Sequence, residues 1–386
     1  MIRYLTAGES HGRQLTAILD GMPSGLEIDV DDINKDLKRR QGGYGRGGRM
    51  KIETDEVNIV SGVRFGKTTG APITMVILNR DFDNWNKKMS ILKEDYDESI
   101  IITRPRPGHA DLTGCIKYDE RDIRNILERS SARETAVRVA VGAVAKILLR
   151  EFDVNVMSTV TKIGGIEADI KDMSFEKIRE LTEKSKVRVA DKSAEKRMIE
   201  LIDQAKKEGD SLGGTFRVVA TKAPIGLGSH TQYDKKLDAK IAGAMMSIQA
   251  IKGVSFGAGF DYANKTGSKV HDEIFYSKQK GYYRTTNNAG GIEGGMSNSE
   301  DIVVDCAMKP IPTLYKPLRS VDMATKESYE ATVERSDVCA VPAAGVIGEA
   351  VMAFEIADAM LEKFSSDSMK ECKRNFTAYK KYVRAL

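Results

Sequence analysis

The stretch S-A-R-E-T-A-V-R-V-A-V-G-A-V-A-K-I-L-L, residues 131–149, decides the fold. In S-A-R-E the Ser131 hydroxyl can cap the free backbone N–H groups while Glu134 reaches back, a capping box. Beyond it Val137, Val141, Val144 and Leu148 recur at helical spacing. The run predicts a helix that is buried on most of its surface.

Working outward, D-D-I-N-K-D-L-K-R-R-Q at 31–41 predicts a short helix. Ile33 and Leu37 share one face, and acidic residues occupy the first turn. Segments 50–53, 57–63 and 72–78 read as strands separated by Gly and Pro. Charges dominate from about 169 to 208, where Phe175, Ile178, Leu181 and Met198, Leu201, Ile202 fall at helical intervals. These read as exposed amphipathic helices forming an insertion. A strand is expected at 215–221, a helix at 234–251 carrying Leu237, Ile241, Met245 and Ile248, and a Gly/Asn-rich loop at 281–298. A strand at 301–308 and a long helix at roughly 343–363 follow. No Pro/Ser linker or repeat divides the chain, so the expectation is one mixed α/β domain over residues 1–386.

Hydrophobic residues make up 41% of the 386 and charged residues 30%, enough apolar material for a core and against global disorder. Mean hydropathy is −0.35, and no apolar run approaches the roughly 18 residues of a membrane helix. Glu9 and His11 come too early for a signal-peptide apolar stretch, so the expected location is cytoplasmic. Sixty Lys+Arg against 56 Asp+Glu leave only +4, which argues against non-specific nucleic-acid binding by net charge. Cys115, Cys306, Cys339 and Cys372 form no C-x-x-C, and no two of the four histidines stand three to five residues apart. Reduced thiols and no metal site are the expectation.

Between Lys38 and Arg49 lie five cations and five glycines. Gly43, Gly45 and Gly48 have G-x-G-x-x-G spacing, but a helix precedes them where a dinucleotide fold needs a strand. Two readings stay open: an anion clamp of arginine forks on a yielding backbone, or a solvated basic loop that contacts nucleic acid. G-V-R-F-G-K-T at 62–68 is one residue short of a phosphate loop and reads as a turn between strands. His109 stands in R-P-R-P-G-H-A-D, where Arg104 and Arg106 give it reason to stay neutral. Arg129 and Arg133 flank the start of the 131–149 helix, where free N–H groups and hydroxyls favour an anion. Jointly, these features describe an arginine-rich, histidine-bearing site for a multiply anionic small molecule.

Several of these segments together resemble the chorismate synthase family. They are G-E-S-H-G at 8–12, R-P-G-H-A-D at 106–111, R-S-S-A-R-E-T-A at 129–136 and R-S-D at 335–337. M-S-I-Q-A-I-K-G at 246–253, A-G-G-I-E-G-G at 289–295 and K-P-I-P-T at 309–313 add to the likeness, which runs from residue 8 to about 350. The resemblance implies an α+β fold, a β-α-β sandwich with central helices between antiparallel sheets, in a homotetramer. It also implies a lyase of the shikimate pathway, and so of aromatic amino acid biosynthesis. That enzyme converts 5-enolpyruvylshikimate 3-phosphate into chorismate by trans-1,4 elimination of phosphate, using reduced FMN.

By that resemblance Arg40, Arg46, Arg49, Arg106, Arg133 and Arg335 would hold the substrate's carboxylates and phosphate. Flavin would contact Arg129, Ser130, Ser131, Gln249, Ala250, Gly294, Lys309, Pro310, Ile311, Pro312, Thr313 and Arg335. His11 would protonate the leaving phosphate, His109 the reduced flavin, and Asp337 would help to move a proton through the flavin ring. The family's NADP positions match Arg40 and Arg46, yet no reductase module or dinucleotide fingerprint is visible. NADPH is therefore expected only as an indirect reductant, with a separate flavin reductase supplying reduced FMN. Gln249 stands where many members have Asn, and Asn288 where many have His.

Overall fold

The computed structural model describes residues 1–48, 53–171, 173–331, 336–365 and 367–386, and the 131–149 stretch lies at its centre. Helix Thr135–Arg150 is buried at every position except Lys146 and Arg150. A helix apolar all round must be covered all round. One cover is an antiparallel sheet in the order Arg3–Ala7, Gln14–Asp20, Ile73–Leu78, Asn58–Ile59. Another is helix Val341–Phe364, which itself rests on a second antiparallel sheet. That sheet runs Ile251–Phe256, Ile302–Met308, Gly214–Thr221, Asn155–Ile163, Ile166–Glu167. Helix Val30–Gln41 flanks both central helices. The architecture is a sheet–helix–sheet sandwich of mixed helix and antiparallel strand.

Strand periodicity explains the two sheets. Leu15, Ala17 and Leu19 pair directly with Ile77, Met75 and Ile73, and all six are essentially fully buried. Phe216, Val218 and Ala220 face Cys306, Val304 and Ile302 in the same way. A one-residue slip would turn each set outward, at about 1.5–3 kcal/mol for each large side chain. Glycine sets the spacing of the layers. A Cβ on Gly142 would stand 2.3 Å from the Ala350 Cβ, and one on Gly348 would stand 2.8 Å from the Phe216 ring.

One buried charge ties the layers together. Glu349, fully buried on the 341–364 helix, is met by Arg39, Lys146 and Arg188 and by the backbone N–H and hydroxyl of Ser158. Burial opposes its ionisation, but the three cations hold its carboxyl well below the usual range.

Several elements differ from the sequence reading. Ser131 accepts from Arg133 N–H at 3.3 Å and caps a 3-10 turn, Ala132–Glu134, ahead of the α-helix. Glu134 does not close a capping box, because its Oε1 accepts from the Thr6 hydroxyl at 3.0 Å instead. The 234–251 helix is shorter: it runs Leu237–Met246, and Arg138 donates to the Ser247 carbonyl and hydroxyl just past its end. Ala250, at φ +67°, then reverses the chain into the strand Ile251–Phe256. Within 281–298 the strand Gly281–Arg284 pairs with Ile274–Ser277, and Ile292–Glu293 pairs with Met296–Ser297. The expected strand 50–53 lies mostly outside the described residues, and Glu53 is not in a strand. G-V-R-F-G-K-T is a hairpin, with Val63–Arg64 paired to Lys67–Thr68.

Helices Phe175–Lys184 and Lys192–Glu208 occupy the charged region, and Ala194, Met198, Ile202 and Ala205 join the main hydrophobic cluster. Helix Met369–Ala385 ends the chain. Among the described residues, no helix is long and apolar enough to cross a membrane.

Candidate active site

Both central helices begin at one cavity of about 570 Å³, within the usual range for small-molecule sites. Thr135 lines it from one helix start; Ala340, Ala343, Ala344 and Ile347 line it from the other. Small side chains there leave room between the helices. The remaining walls come from 10–11, 46–48, 106, 108–110, 130–133, 248–250, 308–309, 311–313 and 336–337, with Arg40, Trp85 and Leu127.

The arginines come already paired with acids, which the sequence reading did not foresee. Arg40 and Arg133, 3% and 4% exposed, share Asp55. Arg40 also donates from Nε to Thr135 Oγ1 and from Nη2 to the Ala132 carbonyl. Burial pushes its guanidinium down to about 10, opposed by Asp55 and helped by Arg133. Arg133 donates to Asn79 and Asp55, while its buried Nη2 has no hydrogen-bond partner among the described residues and lies 3.7 Å from Glu53. Arg106 grips Asp111 through two nitrogens, at 2.8 and 3.0 Å, and Thr313 through the third. Arg46 lies 3.2 Å from Asp337, whose other oxygen accepts the Gly47 N–H at 2.6 Å. The solvated-loop reading therefore fails at Arg40 and Arg46, which turn inward. Arg49 lies outside the described residues, as does Arg335.

Both histidines at the cavity, His11 and His109, are likewise held by a carboxylate. His109 Nδ1 is 2.5 Å from Asp111 Oδ1, and Arg106 Nη2 is 3.1 Å from the same nitrogen. The sequence suggested that arginines set its environment; in the structure the Asp111 carboxylate meets Nδ1 alongside Arg106. Arg104 turns away to Asp322 and the Tyr329 ring. The Asp111 carboxyl is buried, which raises its pKa, but His109 and Arg106 hold it well below the carboxylate range. His11 Nδ1 is 2.9 Å from Glu128 Oε1, and its ring stacks on Trp85 at 4.0 Å. The Ser10 and Ser131 hydroxyls are joined at 3.1 Å.

Comparison with known proteins places this arrangement. The family model described as chorismate synthase matches residues 2–361. The chorismate synthase of Geobacter sulfurreducens is 60% identical over the full length of both chains. The protein named chorismate synthase 2 in Bacillus cereus is 56% identical over 99% of this chain and all of its own. A crystal structure of a chorismate synthase superposes with a TM-score of 0.82 at 45% identity, covering 100% of this chain and 99% of that one. The chain belongs to the chorismate synthase family.

Chorismate synthase membership makes it a lyase. Of the residues matched by resemblance to the family's flavin contacts, Ser130, Ser131, Gln249, Ala250, Lys309, Ile311, Pro312 and Thr313 line the cavity. Pro310 sits between two of them without lining it. Arg129 lies outside and donates to the carbonyls of Thr6 and Gly8, bracing the strand before His11. Gly294 is also outside, in the turn between Ile292–Glu293 and Met296–Ser297. Asn288 is bound through its backbone N–H and Nδ2 to Asp272.

The residues present fit a bound flavin of the chorismate synthase type. Among the described residues Gln249 Oε1 is buried without a hydrogen-bond partner, and Ala250 beside it is held at positive φ. An unfilled acceptor and a strained backbone at a cavity wall are what a polar, ring-shaped ligand would use. Lys309 donates to the Gly108 carbonyl, and burial lowers its ammonium, as does Lys252. The sequence reading missed Asp55, Asp111, Glu128 and Trp85. Asp111 sits two residues after His109, and Glu128 immediately before R-S-S, so the signal was adjacency to residues already singled out.

Proposed function

We propose that the chain performs trans-1,4 elimination of phosphate from 5-enolpyruvylshikimate 3-phosphate to give chorismate, with reduced FMN bound. The observation that carries this reading is the convergence on one cavity of two carboxylate-held histidines, four acid-paired arginines and the flavin-matching segments. When bound, reduced flavin supplies transient electron density, so that a poorly acidic C–H bond breaks with no net redox change.

The chain's own groups bind, orient and move protons. Arg40, Arg46, Arg106 and Arg133 present N–H groups to carboxylates and phosphate, and their acid partners fix each guanidinium before the ligand arrives. His11 gives its Nε2 proton to the departing phosphate oxygen. His109, held at Nδ1 by Asp111, keeps a proton at the cavity wall that it would give to reduced flavin. Asp337 anchors Gly47 and Arg46 while standing ready to accept a proton. The cavity walls exclude water and oxygen. Arg49, Arg129, Gly294 and Arg335 keep their assigned ligand roles as part of this proposal, Arg129 and Gly294 from outside the cavity. So do NADPH as indirect reductant, a separate flavin reductase, the homotetramer and the cytoplasm.

The test is anaerobic: protein, 5-enolpyruvylshikimate 3-phosphate and chemically reduced FMN, with oxidised FMN as control. Equal phosphate and chorismate with reduced flavin only is the expected result. Bound flavin without phosphate release would leave a family fold doing other chemistry. NADPH oxidation without phosphate release would mark a flavin reductase. RNA binding with steep salt dependence and no flavin binding would favour the basic-loop reading. His11→Ala is expected to slow turnover by about 10²–10⁴-fold with flavin affinity nearly intact; an unaffected rate removes His11 from the mechanism.

A further inference from the structure

The structure assigns Glu128 a positioning role: it fixes the His11 ring as the Nδ1–H tautomer and leaves Nε2 as the atom offered to the cavity. Glu128 lies on helix Arg124–Ser130 and is 3% exposed. It grips residues 10–11 at three points. Its carbonyl accepts the Ser10 N–H at 3.1 Å, its Oε2 accepts the His11 N–H at 2.7 Å, and its Oε1 lies 2.9 Å from His11 Nδ1. Arg124, one turn earlier, donates to the same Oε1 at 3.0 Å. Trp85 closes one face of the ring, its plane within 25° of the imidazole's.

Burial raises the carboxyl's pKa, but the hydrogen bonds and charges of His11 and Arg124 bring it below its ordinary value, so the group is an ionised, acceptor-only partner. An acceptor at Nδ1 demands a proton on Nδ1. The neutral histidine side chain in water prefers the proton on Nε2, and because the partner of one nitrogen sets the tautomer, the Glu128 contact inverts that default.

The inversion has a chemical use that rests on the proposed elimination. An imidazolium that gives its Nε2 proton to the leaving phosphate oxygen becomes neutral with the remaining proton on Nδ1. That is the form Glu128 already holds, so the transfer needs no ring rotation. Once product has left, solvent water entering the cavity returns a proton to Nε2. Arg106, Asp111 and His109 repeat the pattern, but Arg106 Nη2 also comes within 3.5 Å of His109 Nε2, so the tautomer argument is cleaner at His11.

Four histidines make the test tractable. Solid-state spectra of the full, ligand-free chain labelled with 15N-histidine identify the tautomer, with His11→Gln locating its signals. Wild type at pH 8 is expected to show Nδ1 protonated and Nε2 bare; Nε2–H in wild type overturns the proposal, whatever the reaction proves to be. Glu128→Gln is expected to shift His11 mostly to Nε2–H. It should also lower kcat by about tenfold or more, with substrate KM and flavin Kd within about twofold, and Glu128→Asp should recover part of kcat. A changed tautomer with kcat intact, or neither changed, overturns the positioning role. If the variant does not fold, the wild-type spectrum still decides.

Discussion

Replacing Gly142 by Ala tests the central packing most directly. The added Cβ would stand 2.3 Å from the Ala350 Cβ, 2.4 Å from its Cα and 2.5 Å from its carbonyl oxygen. Carbon contacts normally settle at about 3.5–4.0 Å, so the two helices must part by about 1 Å. Overpacking of this kind costs about 1–3 kcal/mol, and the severity here puts it at the upper end. Better helix propensity returns about 1 kcal/mol. The net expectation is a loss of about 2 kcal/mol, roughly a thirtyfold change in the folding equilibrium. Urea unfolding followed by circular dichroism reads it. A second variant sharpens the argument, because Ala350→Gly removes only one of the three contacts and leaves the backbone Cα and oxygen in place. The double variant is therefore expected to stay destabilised. Parent-like stability of Gly142→Ala, or full rescue by Ala350→Gly, would refute the close-approach reasoning.

Ala250→Gly should raise thermal stability. Positive φ costs a non-glycine residue about 1–2 kcal/mol, against about 0.4–1 kcal/mol of added unfolded-state entropy; a lower melting temperature counts against strain at that position. Glu183, only partly desolvated and pulled down to about 2 by Arg39 and Arg188, and Glu349, lowered by Arg39 and Lys146 against its burial, both favour the fold when ionised. Their contribution is full above the ordinary carboxylate value of 4.5 and is lost as pH falls toward 2. Glu349→Gln should flatten the acid limb of the urea midpoint between pH 5 and 3, and cost about 3–5 kcal/mol at pH 7; an unaltered acid limb would contradict the assignment. Arg46→Glu should raise the substrate's dissociation constant by about tenfold or more by calorimetry. Normal binding would remove Arg46 from the clamp.

Much of the fold was legible because its longest apolar periodicities lie on elements covered on several sides. Val137 to Leu148 announce a buried helix, and the short apolar runs at 72–78 and 215–221 announce strands. Local signals failed where tertiary partners took over. Glu134 left its capping box for Thr6, a contact across 128 residues. The apolar spacing through Ile248 concealed the turn at Ala250, because Ile248 is buried whether or not the helix continues. In the site, the arginines and histidines announced themselves through motifs, whereas Asp55 and Glu128 did not. A carboxylate's meaning depends on which cation the fold brings to it. Asp55 meets Arg133 across 78 residues, and Glu128 meets His11 across 117.

The cavity's walls are drawn from positions scattered between Ser10 and Ile347, and no short stretch of chain contains more than a fragment of them. Recognition is therefore inseparable from completing the fold. A partly folded chain, or a proteolytic fragment lacking either central helix, has no site in any weakened form. Ligand binding in turn becomes a brace for the entire sandwich: at a hundredfold excess over Kd, one bound molecule adds about 2.7 kcal/mol to the cost of global unfolding. The 274–284 hairpin lines no part of the cavity, yet any protease cut there that requires whole-molecule opening would slow by the same factor of about one hundred. Resistance to degradation would then follow the supply of ligand, without any contact between ligand and cleavage site.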